Sequence, residues 1–291
     1  MLRETSATAG VLIVARHALQ EALRRRVLLV VVVLTAAFGA LYAWGCHELF
    51  KDIAGFSNDA SGLDAKALAG ATILGLAMFG GLFLGIVLAT FLTAGAVRGD
   101  AERGLLQPLV VRPLGRTHYL LGRFLAAAAV SAAYVLVVYF GAMLVTGWMG
   151  DWWPAHPLGA ALRLAGGAVL VAALSLLGSV FLGATANGIC ILMTYGAGLL
   201  AGLLGAIGDA IPSHTLQHIA NVASWTLPFE GLYRDALRLL VQDVPGVSGA
   251  IVRLGPLGGS HDAGPLLVPW AALYLVVVLA AGAAAFARRD L

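Results

Sequence analysis

Lysine is nearly absent from this chain of 291 residues: Lys51 and Lys66 stand against sixteen arginines. Neither follows the glycine spacing of a phosphate loop, Gly-x-x-x-x-Gly-Lys, and no such run occurs, so the chain is not expected to hydrolyse ATP by that route. Two cysteines, Cys46 and Cys190, are too few and too far apart for a disulfide framework or a thiolate metal cluster. Charged residues of both signs make up only 11%, well below the share that an ordinary soluble domain carries. Apolar residues fill the space instead, at 60%, with a mean hydropathy of +0.91. That balance defines an integral membrane protein. The length accommodates about six spans of roughly 20 residues with short connections, and leaves no room beside them for a nucleotide-binding domain. The excess of arginine over lysine is the compositional mark of a GC-rich genome.

The apolar runs predict an all-α architecture in a single domain over 1–291. Residues 11–23 carry Val11, Leu12, Ala15, Ala18, Leu19, Ala22 and Leu23 at helical spacing with Arg16, Gln20 and Arg24 opposite, the pattern of an interfacial helix within 1–26. Membrane helices are expected at 27–45, 67–97, 120–148, 159–183, 189–208 and 266–287. The first is too long for the apolar core of a secretory signal and is read as a retained anchor. The second, at 1.5 Å per residue, is about 46 Å long and overshoots a hydrocarbon core of about 30 Å, so its end should project into the cytoplasm. Between the fourth and fifth spans only Asn187-Gly188 signals a turn. Cys46 is expected just beyond the apolar part of the first span, beside His47 and Glu48, and open to the outside.

Six spans place both termini on one side, and two counts orient them. Twelve lysines and arginines fall on the proposed inner side against five acids, a net of +7; the outer side holds six against ten, a net of −4. Short cytoplasmic loops carry this arginine excess. All six tryptophans (44, 148, 152, 153, 225 and 270) fall at proposed outer ends or outer loops, where an indole suits the headgroup boundary. The partner implied by this distribution is the lipid bilayer and not a nucleic acid.

The densest charge lies in an island at 98–123, with arginines 98, 103, 112, 116 and 123 against Asp100 and Glu102. An acidic residue, a basic residue and a glycine (Glu102, Arg103, Gly104) are followed by an apolar turn from Leu105. Pro113, Leu114, Gly115 and Arg116 form a Pro-apolar-small-Arg tetrad, and Leu120-Leu121-Gly122-Arg123 leads into the third span. This pattern resembles the permease subunits of the ABC type-2 transporter family. Arg123 stands where lysine is commoner, and Pro108 interrupts the apolar turn. The resemblance implies that 98–119 is a cytoplasmic coupling loop, with Asp100, Glu102, Arg103, Gly104, Arg112, Pro113 and Arg116 meeting the ATPase. It implies two separate ATPase subunits holding ATP and Mg, with no cofactor in this chain, and a second copy of it or a related permease. By the same resemblance the second and fifth spans line the pathway, which nominates Phe79, Phe83, Thr90, Thr194 and Tyr195. The segment 209–265 would cap its exit side in the inner membrane of a prokaryote.

Other residues have a reading that rests on their own chemistry. Gly81 and Gly85, and Gly198 and Gly202, allow backbones to approach where lipid supplies no hydrophobic drive, either between subunits or inside one. Glu230 and Arg234 are spaced as a stabilising pair, with Trp225, Phe229, Tyr233, Leu237 and Leu240 available to lie on the membrane. Arg163, in the outer turn of the fourth span, reads as a residue snorkelling to the headgroups. His214-Thr-Leu-Gln-His218 has the four-residue spacing of metal ligands on a helix but lacks the glutamate of a zinc protease, so no metal or catalytic site is expected. The expectation is therefore the membrane subunit of an exporter with a lipophilic or amphiphilic cargo. Its competitors are a permease dedicated to metalloenzyme maturation, as in nitrous-oxide reductase assembly, and an intramembrane enzyme or scaffold built on those two histidines.

Overall fold

The computed structural model describes residues 7–24, 26–53, 64–97, 115–242 and 264–288. Nine helices and no strand occur among them: α1 (Ala7–Arg24), α2 (Arg26–Ile53), α3 (Ala65–Thr93), α4 (Arg116–Gly150), α5 (Pro157–Phe181), α6 (Ala184–Ala210), α7 (His214–Thr226), α8 (Pro228–Val241) and α9 (Leu267–Ala287). Six of these, α2 to α6 and α9, are long and apolar enough to cross a membrane. The island residues Asp100, Glu102, Arg103, Gly104, Arg112 and Pro113, and the second half of the segment 209–265, lie outside the described residues.

Local chemistry sets the helix ends. Asp64 caps α3, its carboxylate accepting the Ala67 N–H at 2.9 Å. Proline opens α5 and α8, where its missing N–H costs nothing. Asp151 ends α4 in the left-handed region at φ 51°, a conformation that a short polar side chain tolerates. Helix α3 ends at Thr93 and α4 begins at Arg116, each four residues before the expected bound, and two boundaries differ more. Helix α2 runs eight residues past 45, because Cys46 and Phe50 continue its buried face while Glu48 and Lys51 pair on its exposed one at 3.8 Å. Cys46 is therefore fully buried, not open. The break between the fourth and fifth spans falls at Leu182-Gly183 and not at Asn187-Gly188. Asn187 is buried inside α6, and its amide donates to the Ser175 carbonyl of α5 at 2.8 Å, so it joins two helices instead of turning between them.

The centre of the bundle is built from α3 and α5, whose buried faces are largely alanine and glycine. A Cβ on Gly81 would sit 2.8 Å from Val138 Cγ1, and one on Gly85 would collide with Val135, so both α3 glycines seat α4 within this chain. Helix α2 is tied to α4 by shared hydroxyl hydrogen bonds, Thr35 with Tyr134 and Tyr42 with Thr146, each 2.6 Å. Helix α8 departs furthest from expectation. Its stripe of Phe229, Tyr233, Leu237 and Leu240 packs inward, and Leu232 and Ala236 are buried with it. An apolar stripe reads the same whether it faces lipid or a bundle; here the glycines of α5 and α6 leave it a seat.

Candidate functional site

Two polar regions stand out from this apolar bundle, one at the end where the island joins α3 to α4 and one at the far end. At the island end the first two turns of α4 gather three other elements. Tyr119 donates its hydroxyl to the Ala96 carbonyl, just past α3, at 3.0 Å. Arg116 donates to the Ala287 and Phe286 carbonyls at 3.1 and 3.5 Å, meeting the C-terminal carbonyls of α9, where a cation is favoured. Arg123, buried under the Tyr119 ring at 5.7 Å, donates to Glu21 of α1 at 2.6 Å. Gly122 lets α1 come this close: a Cβ there would lie 2.6 Å from Val14 Cβ and 3.0 Å from the Val11 carbonyl. Beneath these contacts Ala96, Leu120, Phe124, Leu176, Val278 and Phe286 form one apolar cluster.

The sequence motif thus has an internal explanation at three of its positions. Gly122 and Arg123 hold α1 against α4, and Arg116 holds the end of α9. Nothing in the spacing of α1 marks Glu21 as the residue through which it rests on α4.

At the far end, α8 carries buried charge. Asp235 accepts from Arg163 Nε of α5 and, at 2.8 Å, from Arg238 Nε one turn along α8; Arg163 also donates to the Gly159 carbonyl at 3.1 Å. Arg163 does not snorkel; it clamps α8 to α5. Glu230 is 2% exposed and lies against α6, where Gly202 leaves room for its carboxyl group. Burial pushes its pKa up to about 7, a rise that the nearby Arg234 only partly opposes. The Tyr233 hydroxyl is pushed up as well, by the same burial and by Tyr195 and Glu230.

The candidate lining residues divide between these regions. Phe79, Phe83 and Tyr195 converge on α8: Phe83 lies 6.0 Å from Tyr195, Tyr195 6.2 Å from Phe229, and Phe79 6.5 Å from Tyr233, ring centre to ring centre. Phe83 reaches the surface at 40% exposure, whereas Tyr195 is buried. Thr90 is buried with its hydroxyl returned to the Ile86 carbonyl, and Thr194 likewise bonds the Cys190 carbonyl, so neither hydroxyl joins the aromatic group. Gly198 and Gly202 continue as Gly205 and Gly208 into a seam that seats α8 and then α7, with Ala220 and Leu216 as the α7 contacts. That four-glycine seam, together with the α8 stripe, is the signal that could have revealed the packing. His214 and His218 lie on the exposed side of α7, and no group of three metal-ligating side chains occurs among the described residues.

An all-helical chain with six such helices is a multi-pass membrane protein. Within that class its place is specific: residues 12–291 match the ABC-2 family transporter protein family, and the chain belongs to it. Members are transport permeases that work with ABC ATPase subunits. No curated protein matches the chain.

Proposed function

We propose that the chain is the permease subunit of an ABC exporter in the inner membrane of a prokaryote. It would be paired with a second copy or a related permease and driven by two ATPase subunits that hold ATP and Mg. The observation that carries this reading beyond family membership is the island-end corner. In sequence 98–114 precede Gly115 and α4, and the first two turns of α4 bind α1, the segment just past α3 and the end of α9. A push delivered to the loop by an ATPase would therefore move four elements together. Asp100, Glu102, Arg103, Gly104, Arg112 and Pro113 are the proposed contacts; Arg116 shares its guanidinium with α9.

The far-end hairpin of α7 and α8 is the proposed exit gate, and Phe79, Phe83, Thr90, Thr194 and Tyr195 the proposed lining. Aromatic and hydroxylic side chains suit a lipophilic or amphiphilic cargo, and the charges nearby, Arg163 and Arg238, are both engaged by Asp235.

The test separates coupling from folding. Arg112→Glu places an anion where a bidentate guanidinium contact with the ATPase is proposed, and should abolish ATPase co-purification while insertion is kept by the other arginines of that side. Arg116→Glu should instead loosen α9. An Arg112→Glu protein that retains full ATPase association and transport-coupled hydrolysis overturns the assignment of this contact.

A further inference from the structure

Glu230 is a carboxyl group sealed inside the bundle with neither oxygen hydrogen-bonded, and the hydroxyls of Tyr195 and Tyr233 beside it are also without partners. An ionised carboxylate in that position would forfeit its hydration and receive no hydrogen bond in return, a cost that the attraction of Arg234 only partly offsets. The groups facing it do not change this balance. From α5 comes Arg163, already committed to Asp235. From α6 comes Tyr195, which is neutral. Helix α7 offers His214 and His218, both turned to the exposed side. Helix α9 offers Tyr274 and no charge until Arg288 at its other end. Helix α3 offers Phe79, with Asp64 and Lys66 displaced by about 20 Å of helix. On α8 itself Arg238 serves Asp235, and among the described side chains only Arg234 pulls Glu230 toward ionisation.

We propose that Glu230 is a proton-binding site that latches α8 into the bundle: the carboxyl group is protonated while α8 is docked, and it ionises, giving its proton to water, when α8 leaves its seat on α6. Because the group is sealed when docked, it exchanges its proton with solvent only as α8 moves. Protonation and docking are thereby linked.

The sign follows from the direction of the shift. The docked form holds its proton up to about pH 7, whereas an exposed glutamate lets go near 4.5. Docking is therefore fully supported below pH 4.5, weakens as pH rises, and levels off above the docked value. Between pH 6 and pH 8 the docking equilibrium should fall about tenfold. Glu230→Gln keeps the shape and remains neutral, so its docking should not respond to pH.

Two measurements on the full chain in lipid nanodiscs test this, and neither depends on the transport reading. Infrared titration should show a protonated carboxylic acid in the wild type, lost with an apparent pKa near 7 and absent from Glu230→Gln. Amide exchange over 228–241, compared between the two proteins at each pH, should diverge about tenfold from pH 6 to pH 8. No acid band assignable to Glu230, or matched exchange in the two proteins across the range, overturns the latch. The wild-type infrared titration decides even if the variant folds poorly.

Discussion

Replacing Asp235 with Asn keeps the shape of the side chain and removes the charge that two arginines share. Asp235 is 6% exposed and accepts from both Arg163 and Arg238, whose side chains are 25% and 29% exposed. A hydrogen bond to a charged group is worth about 1.5–3 kcal/mol, and breaking a buried pair about 3–5 kcal/mol. Both arginines keep some access to water and would recover part of that loss, so the expected cost is about 2–3 kcal/mol. The contact spans α5 and α8, so the cost should fall on the docking of α8, not on the bundle. A shift of that size is about 30- to 150-fold in the docking equilibrium. It should be read as faster amide exchange over 228–241, with α3 and α4 protected as before and the melting temperature lower by a few degrees. Arg163→Gln should cost less, since Arg238 remains, and the double variant should reveal a coupling of about 1–2 kcal/mol. Unchanged protection of 228–241 in Asp235→Asn would refute the clamp and leave the buried charges as passengers of the fold.

Other substitutions probe the remaining contacts. Gly122→Val should drive α1 from α4, since the new side chain meets the Val11 backbone as well as Val14; rapid proteolysis within 7–24 is the readout, and wild-type resistance would deny the contact. Gly202→Leu would invade the space of the Glu230 carboxyl and should cost about 1–3 kcal/mol of α8 docking, seen as lost protection of 228–241; normal protection would mean that α6 does not seat α8. Orientation is best tested by Lys51→Cys, since the Lys51 side chain is 66% exposed while Cys46 is sealed and should stay inert until denaturation. An impermeant maleimide added outside should label Lys51→Cys, and labelling only from the inner face would reverse the proposed topology.

Much of the fold was legible because lipid imposes one simple rule: a spanning helix is a long apolar run, and six such runs are written in the chain. Ends were less legible. The Asn187-Gly188 pair looks like a turn until Ser175, twelve residues earlier, supplies the carbonyl that its amide takes. The polar side of α2 past Gly45 looks like a loop until the buried line of Cys46 and Phe50 is seen to continue. Burial of charge was least legible. Glu230, Arg234 and Asp235 on a short amphipathic helix suggest a solvated face, and their partners, Arg163 and the α6 glycines, lie in other spans. Spacing along one helix cannot report what another helix brings to it.

The two polar regions are joined by α5, and this constrains how they could communicate on the transport reading. Helix α4, which receives the island, packs along both α3 and α5. At the far end α5 holds α8 by the Arg163–Asp235 contact and by two glycines that leave room for it: a Cβ on Gly159 would lie 2.9 Å from Leu239 Cδ1, and one on Gly167 3.5 Å from the Phe229 carbonyl. Helix α6 has a different allegiance: its described glycine seam faces α8 and α7, and its tie to α5 is the Asn187 hydrogen bond near the island end. A displacement of α4 would therefore reach α8 through α5, while α6 could hinge about Asn187 and open its seam. The surface exposed by such a hinge holds Gly202, Tyr195 and the Glu230 carboxyl. Water entering there would find an acid ready to ionise, and the ionised carboxylate would oppose reclosure until it regained a proton. In that scheme the clamp on α5 keeps the gate helix attached, and the Glu230 carboxyl group of α8, seated against Gly202 of α6, decides when the seam shuts.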